Sequence, residues 1–230
     1  MTLDYCLQKV RREDPVRYQS ALFLPRKFRQ KEIALLALNL ELAAIPLNTQ
    51  DLTLRDMRFQ WWQDALEALP RGEMTQQPVL IALKPYISKI NLKNFVESWR
   101  QKTLEQDFSS LNRVMDYASN HTVALWDLRT ENNERFKPYA HFESLSQFLI
   151  TLDHHQQDPQ SVAQQARLWR PELEARHQAL ALHCTKDFKN LTGTFRAFAL
   201  PATAYNRYPQ PTKATLLSWT LLIAYLWGRF

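Results

Sequence analysis

Three glycines, Gly72, Gly193 and Gly228, serve a chain of 230 residues. Hairpin turns and phosphate-cradling loops are built on residues that tolerate positive φ, and glycine is the main one. So few of them argue against a β-rich fold and against P-loop or dinucleotide fingerprints. The fold class that remains is all-α. A hydrophobic content of 45% and no low-complexity linker point to one sizeable core. A single domain over residues 1–230 is expected.

Proline punctuates the helical periodicity. Leu3, Cys6, Leu7 and Val10 form an apolar stripe over residues 2–12, which Pro15 is expected to end. A short helical segment over 18–24 precedes Pro25, and a helix over 29–45 precedes Pro46, read as its stop. This helix is apolar on nearly all sides, which places it inside a helical assembly. Its Asn39 and Glu41 then need partners, because an unpaired buried carboxylate costs several kcal/mol or loses its charge. Arg58, on the following helix over 52–69, is the expected partner of Glu41. Trp61 and Trp62 on that helix are expected to pack in the core. Further helices are expected over 76–88, 91–105, 107–130, 141–154, 160–168, 171–190, 193–206 and 211–228.

The formal charge of +6 gathers early: Lys9, Arg11, Arg12, Arg17, Arg26, Lys27, Arg29 and Lys31 face three acids in the first 31 residues. Such a field attracts diphosphates or anionic lipid headgroups, although a solvated helix face has the same composition. Nothing matches a nucleic-acid-reading motif. Cys6 and Cys184 have no metal-site spacing and read as unpaired thiols. The first residues carry Asp4, Glu13 and Asp14 and no apolar core, unlike a signal or transit peptide. A cytoplasmic protein is expected, with peripheral contact at the inner membrane as the alternative. The run ATLLSWTLLIAYLW, 14 residues, is shorter than the roughly 20 needed to span a bilayer and reads as a core helix.

The segment from Tyr18 to Asp64 resembles the squalene/phytoene synthase family. Leu24-Pro25 with Arg29 four residues on, the ALLALNLELA helix, and Met57-Arg58-Phe59-Gln60-Trp61-Trp62-Gln63-Asp64 carry the resemblance. The last block is similar to the branch that includes mitochondrial complex I assembly factors. Fainter matches follow: Tyr117 in YASNHTVALWDL, the run QFLITLDHHQQD on the family's second aspartate-rich segment, Arg167 to Pro171, and FALPATAY. The resemblance implies an isoprenoid synthase-like helical bundle. It also implies head-to-head joining of prenyl diphosphates, in which magnesium held by paired aspartates takes up the departing diphosphate.

Those aspartates are missing. The first pair falls on Ala43 and Leu47, with Leu40 where an arginine would precede it, and the second segment places Ile150 and His154 at metal-binding positions, keeping only Asp158. Such side chains cannot replace carboxylates around magnesium, so no catalytic or metal-binding residue is assigned. Arg29, Asn39, Glu41, Arg58, Tyr117 and Asp158 remain as a ligand-binding or vestigial site. Asp153, His154, His155 and Asp158 are the densest alternative ligand group, but Pro159 makes them read as a helix end. His121, His141, His177 and His183 look scattered, and neither Ser20 nor Cys184 sits in a nucleophile's context.

Three readings follow. The first is a family member without catalysis that binds a protein partner, a lipid or an isoprenoid, in keeping with respiratory-complex assembly, and needs no cofactor. The second is an active prenyl transferase using magnesium on displaced carboxylates such as Glu41, Asp64 and Asp158. The third is an interaction scaffold with a filled core.

Overall fold

The computed structural model describes residues 2–188 apart from 73–75, 90–91, 105–107, 132 and 155–165, together with residues 190, 191, 197 and 199. Nine α-helices and no β-strand occur among them: α1 (Thr2–Glu13), α2 (Pro15–Leu22), α3 (Arg26–Asn48), α4 (Leu52–Ala68), α5 (Pro78–Leu83), α6 (Leu92–Leu104), α7 (Leu111–Thr130), α8 (Lys137–His154) and α9 (Arg170–Phe188). The helices expected over 193–206 and 211–228 lie outside the described residues. No helix among those described is long and apolar enough to cross a membrane.

Local chemistry sets the boundaries: α1 stops at Glu13, just short of Pro15 as expected, and Pro46 departs from its expected role. Pro15 opens α2 at its first position, where its missing N–H costs nothing, and Asp14 caps that helix by accepting from the Arg17 backbone N–H at 3.0 Å. Pro46 lies inside α3, which runs on to Asn48. In the last turn a proline disrupts little of the ladder that follows it. Arg55 then collects the helix end, donating from Nη2 to the Pro46 carbonyl at 3.2 Å and from Nε to the Thr49 carbonyl at 2.7 Å. Asp51 caps α4 through the Thr53 and Leu54 amides. The turn after α4 uses Gly72 at φ 81°, one of the few glycines available.

The α3 helix is central, as its composition demands. Every residue from Ile33 to Asn39 is buried, and α3 packs against α1, α2, α4, α5, α6 and α7. Beyond it the bundle continues as neighbours in space, α4 on α6, α6 on α7, α7 on α8 and α8 on α9. A second, smaller apolar cluster, with Val114, Leu145, Phe148, Leu152 and Leu173, lies between α7, α8 and α9.

A buried ion network ties α2, α3, α7 and α8 together. Glu143 on α8 has no solvent exposure and accepts from Arg17 Nε at 2.8 Å and from the Trp126 indole at 2.9 Å. Arg17 turns its other side to Asp14, 3.0 Å away. Arg129 on α7, stacked over Trp126, lies 2.7 Å from Glu32 of α3 and 4.0 Å from Glu143. Burial raises the pKa of Glu32, against the pull of the Arg129 charge. Removing one member of such a set leaves partners charged and dry. Glu143→Ala should therefore cost about 3–5 kcal/mol of unfolding free energy, read from the urea midpoint. Arg58→Ala, at an exposed position, should stay within about 0.5 kcal/mol.

Candidate functional site

The residues singled out on α3 separate once the helix is built. Positions 39 and 41 are about 200° apart around a helix, so they face different neighbours. Asn39 looks towards α6 and accepts from the Trp99 indole at 3.1 Å. Glu41 looks towards α1, accepts from the Tyr5 hydroxyl at 2.7 Å and lies 3.4 Å from Lys9 Nζ. That carboxylate raises Tyr5 to about 12. The expected Glu41–Arg58 pair does not form, because Arg58 is exposed on α4 and α1 supplies the cation instead. Arg29 is also structural: its Nη2 caps the carbonyls of Leu22 at 2.7 Å and Leu24 at 3.0 Å.

The basic N-terminal face is thinner than its composition suggested. Lys9 serves Glu13 and Glu41, Arg17 the buried network, Arg29 the carbonyls after α2, and Lys31 donates to the Leu128 carbonyl at 3.0 Å. Lys27, Lys31 and Arg129, with Phe28 and Tyr86, border an open cavity of about 220 Å³ that Glu32 and Glu131 also line. Both thiols are buried, and burial pushes Cys6 up to about 11 and Cys184 up to about 12, so neither is a ready nucleophile.

Sequence reasoning missed a polar box between α6 and α7. Lys102 Nζ stands 5.3 Å from the centre of the Trp99 ring and 5.2 Å from that of Tyr117. It lies 3.3 and 3.4 Å from the two ring nitrogens of His121, and the His121 ring packs 4.5 Å from Trp99. Tyr117 makes edge contacts with Phe108 at 5.0 Å and Phe148 at 5.9 Å. Trp99 belongs to the main core and Tyr117 packs on the smaller cluster, so the box marks where the two meet. His121 is therefore not an incidental histidine. The only signal for it was the spacing of Trp99 with Lys102 and of Tyr117 with His121, three and four residues apart on successive helices.

A model of the family described as squalene/phytoene synthase matches residues 10–130. The chain belongs to the squalene/phytoene synthase family. The complex I assembly factor 6 proteins of mouse and human are each 30% identical to it over 135 residues, which is 55% of this chain and 40% of theirs. The bovine protein of the same name matches to the same extent. The match thus spans less than half the length of these relatives.

At the family's first magnesium position the residues present do not fit a hard cation. Ala43 offers no donor and packs against the core, and Leu47 is 85% exposed at the end of α3. Of the displaced carboxylates, Glu41 is held by α1, and Asp64 is exposed and accepts from Gln60. Asp158 and His155 lie outside the described residues, as do the side chains of Ile150, Asp153 and His154. Among the described residues no three His, Cys, Asp or Glu side chains are grouped to hold a metal ion.

Burial, helped by the Arg17 charge, lowers Lys102 to about 7. Between that value and the ordinary lysine value the unfolded chain binds the extra proton, so this residue makes stability rise with pH. Below about pH 7 its penalty is present in full. Lys102→Met should therefore stabilise the protein most at pH 6–7, with the gain shrinking towards pH 10 in matched urea titrations.

Proposed function

We propose that the protein is a family member without prenyl transfer, which docks a protein partner during assembly of a respiratory complex. The observation that carries this reading is the outer face of α4. Leu54, Met57 and Trp61 recur at helical spacing and are exposed, Met57 at 62% and Trp61 at 50%, with Arg58 beside them and Leu52 at the start of the same helix. Trp61 was expected in the core, but only Trp62 is buried there. An exposed tryptophan and arginine among large apolar side chains have the composition of an interface centre. The names of the relatives, complex I assembly factors, supply the class of partner.

The replacement of the family's first carboxylate pair by Ala43 and Leu47 supports the other half of the reading. With magnesium and farnesyl diphosphate the protein should release no inorganic diphosphate above background, and turnover at an enzyme's rate would overturn this. An apolar ligand is a second reading, favoured by the ring-lined junction around Tyr117. Isoprenoid lipids retained by the purified protein and found by mass spectrometry would support it.

The docking role is checked in cells that lack the protein. Membranes from them should lose NADH:quinone oxidoreductase activity relative to succinate oxidation, and the wild-type chain should restore it. A Met57→Ser/Trp61→Ser double variant should fold normally by circular dichroism yet restore less than about a tenth of it, as expected for loss of interface-centre residues. Full restoration by that variant would remove α4 from the interface.

A further inference from the structure

The docking stripe of α4 carries one charge that the rest of the protein does not use. Successive helical residues turn by about 100°, so Leu54 and Trp61 form the middle of the stripe, and Met57 and Arg58 form its two edges. Arg58 is exposed, and among the described residues no acceptor holds its guanidinium. Its neighbours three and four residues away are Leu54, Arg55, Trp61 and Trp62, none of them acidic. The other charged side chains of the segment are engaged: Asp51 caps the helix, Arg55 binds the carbonyls of Pro46 and Thr49, Asp56 pairs with Arg100 of α6, Asp64 accepts from Gln60, and Glu67 pairs with Lys93.

A helix is about 10 Å across, so a partner helix that buries Trp61 also reaches both edges of the stripe. Leu54 with Arg58 and Met57 with Trp61 are parallel ridges of four-residue spacing, and the groove between them is the shape that receives a ridge of another helix. An extended partner has no edge to pair with, since no strand occurs among the described residues. Once covered, Arg58 loses water on the partner's side, and a guanidinium left there without an acceptor opposes binding. A carboxylate answers it with two parallel hydrogen bonds and fixes the register of the two helices. A bilayer is the poorer fit. Helices that lie in a membrane interface carry lysine and arginine on their polar face, whereas the exposed charges from Asp51 to Ala68 are Asp51, Asp64 and Glu67, with Arg58 the one cation among them.

We propose that the partner docks on α4 through an amphipathic helix that places the carboxylate of an aspartate or glutamate against Arg58. This rests on the docking role proposed above and adds the chemistry of the partner. The partner helix has apolar residues at three- and four-residue spacing to cover Leu54, Met57 and Trp61, and an acid within one turn of them. Arg58 then selects the partner, and the apolar side chains hold it. A helix of equal hydrophobicity without the acid would strand the charge and be rejected.

Arg58 is exposed, so its variants should fold normally by circular dichroism, and the full chain can be tested in the cells that lack the protein. Restored NADH:quinone oxidoreductase activity should fall in the order Arg58→Lys, Arg58→Leu, Arg58→Glu. Arg58→Glu should restore less than about a tenth of the wild-type activity, the scale expected for like charges brought together in an interface. A photoreactive benzoylphenylalanine in place of Met57 should cross-link to a protein segment with an Asp or Glu within one helical turn of the linked residue. Changing that acid to Arg should abolish activity with the wild-type chain and restore it in combination with Arg58→Glu. Full restoration by Arg58→Glu alone, where Met57→Ser/Trp61→Ser still fails, would overturn the carboxylate and leave the docking role standing. Arg58→Leu restoring more than Arg58→Lys would overturn it too. Cross-linking to a segment without an acid, to a second copy of the chain or to lipid would overturn the partner's chemistry.

Discussion

Glu143 is the charge on which the bundle's arrangement depends. A carboxylate with no access to water is tolerable only where donors meet it at fixed positions, and here they come from α2 and α7. Asp14, one residue before α2, holds the far side of Arg17, and Glu32 holds Arg129 against α3. Apolar contacts between helices are non-directional and leave their rotation loosely defined. The network removes that freedom, because a small rotation of any of the four helices would strand a charge.

The same rigidity separates the packed positions of the central helix from the open ones. Ile33 to Asn39 are buried among six neighbouring helices, whereas Leu47, in the last turn, is 85% exposed. A changed side chain at Leu47 leaves the folding contacts alone, whereas one at Ala43 meets the core.

The helical scaffold was legible because its signals are local. Glycine scarcity, three- and four-residue apolar spacing and proline positions placed α3, α4 and α6 nearly as they are, with the family blocks around Arg58 to Asp64 adding ancestry. What failed was pairing over distance. Glu41 pairs with Tyr5 and Lys9, more than thirty residues upstream, and not with Arg58 on the next helix. Arg17 and Glu143 are 126 positions apart, and no local pattern announces such a pair. Lys102 and His121 meet only through the packing of α6 on α7, so each looked ordinary alone. Trp61 and Trp62 are adjacent and both apolar, yet successive residues on a helix point about 100° apart, so one can face the core and the other the solvent.

The two tryptophans of α4 meet edge to face, ring centres 5.2 Å apart, with Trp62 buried at 5% exposure. The inner ring is fixed by the core and therefore limits the rotamers open to the outer one. The edge contact with Trp62 narrows the orientations open to Trp61 at the surface. A side chain already ordered gives up little entropy on association, which favours a long-lived complex over a merely frequent encounter. The core of the bundle in this way preorganises a feature of its surface.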